Sequence, residues 1–215
     1  MILHILCPFY RVNLAKTLVK YFEPEKIEYY PIVAPKEDID FGVSWVHNIR
    51  VKELNTGEQC FRKFNDFADN QSIYDNDYYA FVCDETVFEP GFFDIIRNQT
   101  ADVIFFSSYR GDSIPSDGST PHLPGVFYVK SKNDVRIGTI GLGQFIIKGS
   151  VFKKTRFKVD KSVCDGEFAV ELLYGNNGRI AYLPNSFVFS NYLQPGRFTD
   201  ESKFIKSHWK LPEII

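Results

Sequence analysis

Residues 78–83, Tyr-Tyr-Ala-Phe-Val-Cys, form an apolar run that passes directly into Asp84, Glu85 and Thr86. Such a run predicts a buried strand. Ligands of open parallel sheets bind beyond the carboxyl ends of the strands. Two carboxylates and a hydroxyl at that place suit Mg²⁺ or Mn²⁺, hard cations that take oxygen ligands and keep waters and substrate phosphates in their shell. A metal held there neutralises a diphosphate and stabilises a departing phosphate oxygen. Taken alone, the triplet reads more simply as a solvated acidic turn, with Glu85 or Thr86 capping the next helix.

Other residues could share this chemistry. Pro8, Phe9, Tyr10 and Arg11 follow the first apolar run. Arg11 is an always-charged fork able to grip a base or a diphosphate, and Pro8 and Tyr10 could wall a base slot. Gly141, Gly143 and Gln144 sit in a glycine-rich run, where backbone can approach a ligand closely; a β-bulge is the simpler account. Asp165 and Glu167 open a helix, where acids also compensate the helix dipole. Arg62 and Asp66, four apart, read as a surface ion pair.

The elements that must position these groups are legible in outline. Strands are expected at 2–7, 29–34, 43–51, 78–83, 103–106, 126–129, 143–147, 180–183 and 187–192. Helices are expected at 57–73, from Pro90 to Ile96, and at 164–174, the last closed by Gly175-Asn176-Asn177-Gly178. Ser107 to Gly125 reads as a long irregular loop of the kind used for lids and binding. Strand–helix alternation in the first half implies a parallel sheet, and the strand-rich second half implies a mixed one. The expectation is a single α/β domain over 1–215, with a Rossmann-like nucleotide and metal half to about residue 106 and an acceptor half after it.

Composition narrows the classes. The chain has 215 residues and a net charge of −2, which disfavours a nucleic-acid binder. Its 21 Phe and 12 Tyr favour an aromatic core. Cysteines at 7, 60, 83 and 164 form no CxxC pair, so neither a zinc site nor a disulfide framework is indicated, and a reducing, cytoplasmic setting is expected. The apolar N-terminus is broken by Pro8 and reads as a core strand, not a leader; no run is long enough for a transmembrane segment.

In order and spacing the chain resembles the GT-A nucleotide-sugar glycosyltransferases. The resemblance runs through residues 62–68, the 78–86 strand and triplet, Val87 to Phe93, Gly138 to Phe152, and Cys164-Asp165-Gly166-Glu167. The compact length is also similar to that of glycosyltransferases of large chlorella viruses, which would place the protein in a host cytoplasm. The resemblance implies a UDP-sugar donor, a glycan or glycoprotein acceptor and a divalent metal at Asp84, Glu85 and Thr86. It implies nucleotide or donor contacts by Lys63, Asn65 and Asp84, a sugar pocket at Gly143 and Gln144, and catalysis near Asp165 or Glu167. A late His208, with Lys206 or Lys210, would complete the metal shell and close over the diphosphate. The motif of this class ends in Asp, and here the third position is Thr86.

Two rivals stand beside it. One is a sugar nucleotidyltransferase on a related sheet; the absence of glycine in the Pro8–Arg11 turn argues against it. The other is a non-catalytic carbohydrate-binding module using aromatics such as Tyr109, Tyr192 and Trp209. A Rossmann dehydrogenase is disfavoured because no GxGxxG follows the first strand.

Overall fold

The computed structural model describes residues 1–8, 16, 18–20, 22, 27–33, 41, 43–47, 49–50, 58–83, 86–89, 91–110, 125–159 and 164–190. Its centre is a nine-stranded mixed sheet. The strands are β1 (Leu3–Pro8), β2 (Glu28–Val33), β3 (Ile49–Arg50), β4 (Tyr78–Phe81), β5 (Val87–Phe88), β6 (Val103–Arg110), β7 (Gly125–Phe127), β8 (Phe145–Lys148) and β9 (Ile180–Ser190). The helices are α1 (Glu58–Asn70), α2 (Phe92–Arg97), α3 (Gly149–Phe152) and α4 (Cys164–Gly175). Among the described residues no helix is long and apolar enough to cross a membrane.

The sheet order is β3-β2-β1-β4-β8-β6-β9-β5, with β7 also paired to β6. β3, β2, β1 and β4 run parallel, as strand–helix alternation predicts. β8 then enters antiparallel between β4 and β6. β9 returns parallel to β6, and β5 lies antiparallel on β9. The expected boundary near residue 106 thus falls inside β6.

Several expectations are revised here. Residues 107–110 continue β6 instead of opening a loop. The two strands expected after residue 180 are one, β9, whose register against β6 shifts between Phe106 and Ser107. Pro184 interrupts the apolar run without ending the strand, and the irregularity absorbs it. The strand expected at 43–51 reduces, among described residues, to Ile49–Arg50 and a bridge from Tyr29 to Val46.

The sheet is buried on both faces, which is why β1 and β4 read as continuous apolar runs. One face carries Ile5, Tyr78, Ala80, Ile104, Phe106, Ile146 and Val188, covered in part by Phe92, Phe93 and Ile96 of α2. The other carries Leu6, Tyr79, Phe81, Phe105, Phe145 and Ile147, under α1 and α4. Aromatic edges fill this second layer: Phe64 meets Phe81 at 5.1 Å and 79°, and Phe157 stacks on Phe168 at 3.8 Å.

His4 is the polar exception in β1. It is buried against Tyr79, with ring centroids 4.5 Å apart and planes 9° from parallel. Its Nε2 lies 3.1 Å from Asp77 Oδ2 and its Nδ1 3.2 Å from the Tyr30 hydroxyl. Burial holds its pKa below the usual value, and the Asp77 carboxylate offsets part of that effect. The unfolded chain therefore takes up a proton near pH 6.5 that the folded chain refuses. Stability is complete above that pH and falls as the pH drops toward the folded pKa. Melting temperatures measured from pH 7.5 to 5 are expected to decline less steeply in His4→Gln than in the wild type.

Candidate functional site

The pairing directions bring β1, β4, β6 and β9 to one sheet edge with their carboxyl ends, and place the start of β8 among them. Pro8 ends β1 there and is buried. Cys83 and Thr86 follow β4, and Gly143 and Gln144 precede β8. The expected residues Tyr10, Arg11, Asp84, Glu85 and His208 lie outside the described residues.

Thr86 is 2% exposed. Its N–H donates to the Cys83 carbonyl at 3.1 Å, and its Oγ1 accepts from the Cys83 N–H at 3.3 Å. Its methyl group lies 3.5 Å from where a Cβ on Gly143 would stand. The structure therefore gives Thr86 a role in closing the end of β4 and leading into β5. The sequence offered no sign of this, because a two-residue strand has too little pattern to read. Among the described residues no group of three or more His, Cys, Asp or Glu side chains is placed to hold a metal.

The glycine-rich stretch is a fixed loop. Gly143 has φ of +87°, a left-handed conformation that favours glycine. The Gln144 N–H donates to the Gly141 carbonyl at 3.2 Å, and the Gly141 N–H donates to Gln144 Oε1 at 3.0 Å. Asp165 clamps the loop to α4: Oδ2 accepts from the Leu142 N–H at 3.3 Å and Oδ1 from the Gly166 N–H at 2.8 Å. Gly166 lets the helix approach, since a Cβ there would stand 3.0 Å from Ile137 Cα. Asp165 thus sits beside the glycine loop and accepts from backbone amides. Glu167 is two residues on, about 200° around the helix, and lines an open depression with Ile137, Lys158 and Tyr174. The structure does not bring the two carboxylates to one point.

On α1, Phe61, Phe64 and Phe67 make the buried stripe that helical spacing predicts. Lys63, on the same helix, is 1% exposed. Its neighbour Phe64 rests on Phe81, the last residue of β4, so this turn of α1 lies beside the sheet edge. Asn65 is a brace. Its Nδ2 donates to the Phe157 carbonyl at 2.8 Å and its Oδ1 accepts from the Phe157 N–H at 2.9 Å. Both halves of the amide are engaged with the backbone of one residue, as in a sheet ladder. Asn65→Ala is expected to cost about 1–3 kcal/mol by orphaning the Phe157 N–H and carbonyl, measurable by urea unfolding.

No protein-family profile matches the sequence, and no curated protein matches it. Solved structures do match along the whole chain. A 4-diphosphocytidyl-2C-methyl-D-erythritol synthase superposes with a TM-score of 0.52 at 10% identity, covering 95% of this chain and 96% of the other. The 2-C-methyl-D-erythritol 4-phosphate cytidylyltransferase of Francisella tularensis superposes with a TM-score of 0.51 at 9% identity, covering 97% of this chain and 100% of the other. At these identities the likeness shows the fold: a single-sheet, Rossmann-like α/β architecture of the GT-A type. It also overturns one expectation. The expected glycosyl transfer from a UDP-sugar to a glycan acceptor is set aside, because these two structures carry the names of a 4-diphosphocytidyl-2C-methyl-D-erythritol synthase and a cytidylyltransferase, and neither that of a glycosyltransferase. The viral glycosyltransferase resemblance loses its basis with it.

Proposed function

We propose that the chain is a nucleotidyltransferase that joins a nucleoside monophosphate to a phosphorylated sugar or polyol. The observation that carries this reading is the whole-chain likeness to two enzymes named for cytidylyl transfer. In the proposed reaction a phosphate oxygen of the acceptor attacks the α-phosphorus of a nucleoside triphosphate. The bond from that phosphorus to the bridging oxygen breaks, and pyrophosphate leaves with the electron pair.

Charge is the main obstacle, because two anions must meet. The Lys63 ammonium, buried on α1 beside the end of β4, is the described group suited to oppose it. Arg11, after β1, adds a second cation, while Pro8 and Tyr10 bound the base. Asp84 and Glu85 are the residues that would hold Mg²⁺ or Mn²⁺; bound there, the metal would neutralise the triphosphate and favour pyrophosphate departure. Asp165, Gly143 and Gln144 keep the glycine loop in place on the acceptor side. Cysteines at 7, 60, 83 and 164 that form no CxxC pair fit a reducing compartment such as the cytoplasm.

The reading is tested by pyrophosphate release. CTP, UTP, ATP, GTP and dTTP are each paired with a panel of sugar and polyol phosphates, with Mg²⁺ and with Mn²⁺. One triphosphate is expected to release pyrophosphate only when its acceptor is present. Absence of release from every pair, together with no triphosphate raising the melting temperature, overturns it.

A further inference from the structure

Two buried polar atoms near this edge have no hydrogen-bond partner among the described residues: Gln144 Nε2 and Ser108 Oγ. Gln144 is 1% exposed and Ser108 is 0% exposed. Neither residue has a place in the chemistry above beyond loop support.

Their positions are related. The Phe106 N–H donates to the Gln144 carbonyl at 3.0 Å, so the β6–β8 ladder extends through Gln144. Alternation then puts the Gln144 side chain on the face that carries Ile146, Ile104 and Phe106. Ser108 is two residues beyond Phe106 and pairs in register with Val188, on that same face. The methyl of Thr86 and a methyl of Val188 lie 3.5 and 3.6 Å from where a Gly143 Cβ would stand. Ser108 pairs with Val188 and Gln144 follows Gly143, so both residues adjoin this Thr86–Gly143–Val188 contact.

Their chemistry is specific. Gln144 Oε1 is held by the Gly141 N–H, so the carboxamide is fixed with Nε2 as a donor. The Ser108 hydroxyl can donate or accept. Lys63, the buried lysine among the described residues, belongs to α1 on the opposite face. A face with a fixed donor, a hydroxyl, apolar walls and no buried cation suits neutral oxygens and disfavours a phosphate. Hydroxyl groups fit, since each accepts from the amide and exchanges with the serine.

We propose that Ser108 and Gln144 form a subsite for the hydroxyl groups of the sugar or polyol phosphate acceptor. The identity of that ligand rests on the nucleotidyltransferase reading. Leaving two buried polar atoms unsatisfied costs stability in the ligand-free protein, and a ligand that supplies their partners recovers it. Stability and binding are thereby set against each other at these two positions.

Ser108→Ala separates the two. Ligand-free Ser108→Ala is expected to melt at or above the wild-type temperature. Its half-saturation by the sugar or polyol phosphate that shifts the wild-type melting curve is expected to rise tenfold or more, with the triphosphate response unchanged. Gln144→Glu keeps an acceptor for the Gly141 N–H but removes the Nε2 donor, and is expected to give the same selective loss. An Ala variant that melts lower and binds these phosphates as the wild type does overturns the proposal, because a bound water then serves the hydroxyl. So does a wild type that no sugar or polyol phosphate stabilises. Binding is read without turnover, so missing pyrophosphate release strikes only the reaction, while unchanged affinity in both variants strikes only the subsite.

Discussion

Lys63→Met is expected to lower kcat/KM for the triphosphate by about 100-fold or more, the loss found when a preorganised charge-stabilising group is removed from a water-excluded site. Methionine keeps most of the stem and its packing beside Phe64, so the change isolates the ammonium. The position is 1% exposed, and an ammonium so deeply buried is kept only where charge or polar groups meet it. Lys63→Arg is expected to restore little, because the bulkier planar fork must fit a position that is only 1% exposed. Pyrophosphate release under steady-state conditions measures both variants. A Met variant with full activity and a lowered melting temperature would instead assign Lys63 a purely structural role.

The largest loss of stability is expected at Gly149, the first residue of α3. A Cβ there would stand 2.0 Å from the Tyr74 carbonyl oxygen and 2.7 Å from its carbon, both backbone atoms. The Gly149 N–H donates to the Asp77 carbonyl at 2.9 Å and the Ser150 N–H to the Asp75 carbonyl at 3.2 Å, so the two segments cannot part without losing these bonds. Gly149→Ala is expected to cost about 3–5 kcal/mol, read as a lower urea midpoint with unchanged slope. Gly91→Ala is the control. Its φ is +77° but no atom lies within 4 Å of the added carbon, so it should cost only about 1–2 kcal/mol of backbone strain. The difference between the two isolates the collision from the dihedral.

Local signals in the chain were sufficient for much of this fold. Apolar runs, interrupted in β1 by His4, announced β1, β2 and β4, and three-four spacing announced α1, because in these segments burial largely decides the pattern. What local signals cannot carry is the identity of a distant partner. Asn65 was visible as a polar residue on a helix, but its brace is to Phe157, 92 residues later. Asp165 was visible as an acid at a helix start, but its target is the Leu142 amide. β5 is two residues long and exists because β9 is beside it. The same distinction explains the misassigned activity. Carboxylates after β4 mark an edge suited to a metal and phosphates, and nothing local to them states which bond of the nucleotide is broken.

The insertion of β8 between β4 and β6 also bears on how the protein is made. β4 emerges from the ribosome with one edge paired to β1 and the other open, and its partner arrives only with residues 145–148. At about 5–20 residues per second the open edge persists for several seconds. For that interval it offers unpaired backbone and apolar side chains to any strand nearby, including the same segment of a neighbouring nascent chain. The wait is imposed by sheet order, so a faster-folding first half would not shorten it. A circular permutant that begins near β8 supplies the missing neighbour first, and is expected to give more soluble protein at high expression rates than the natural order.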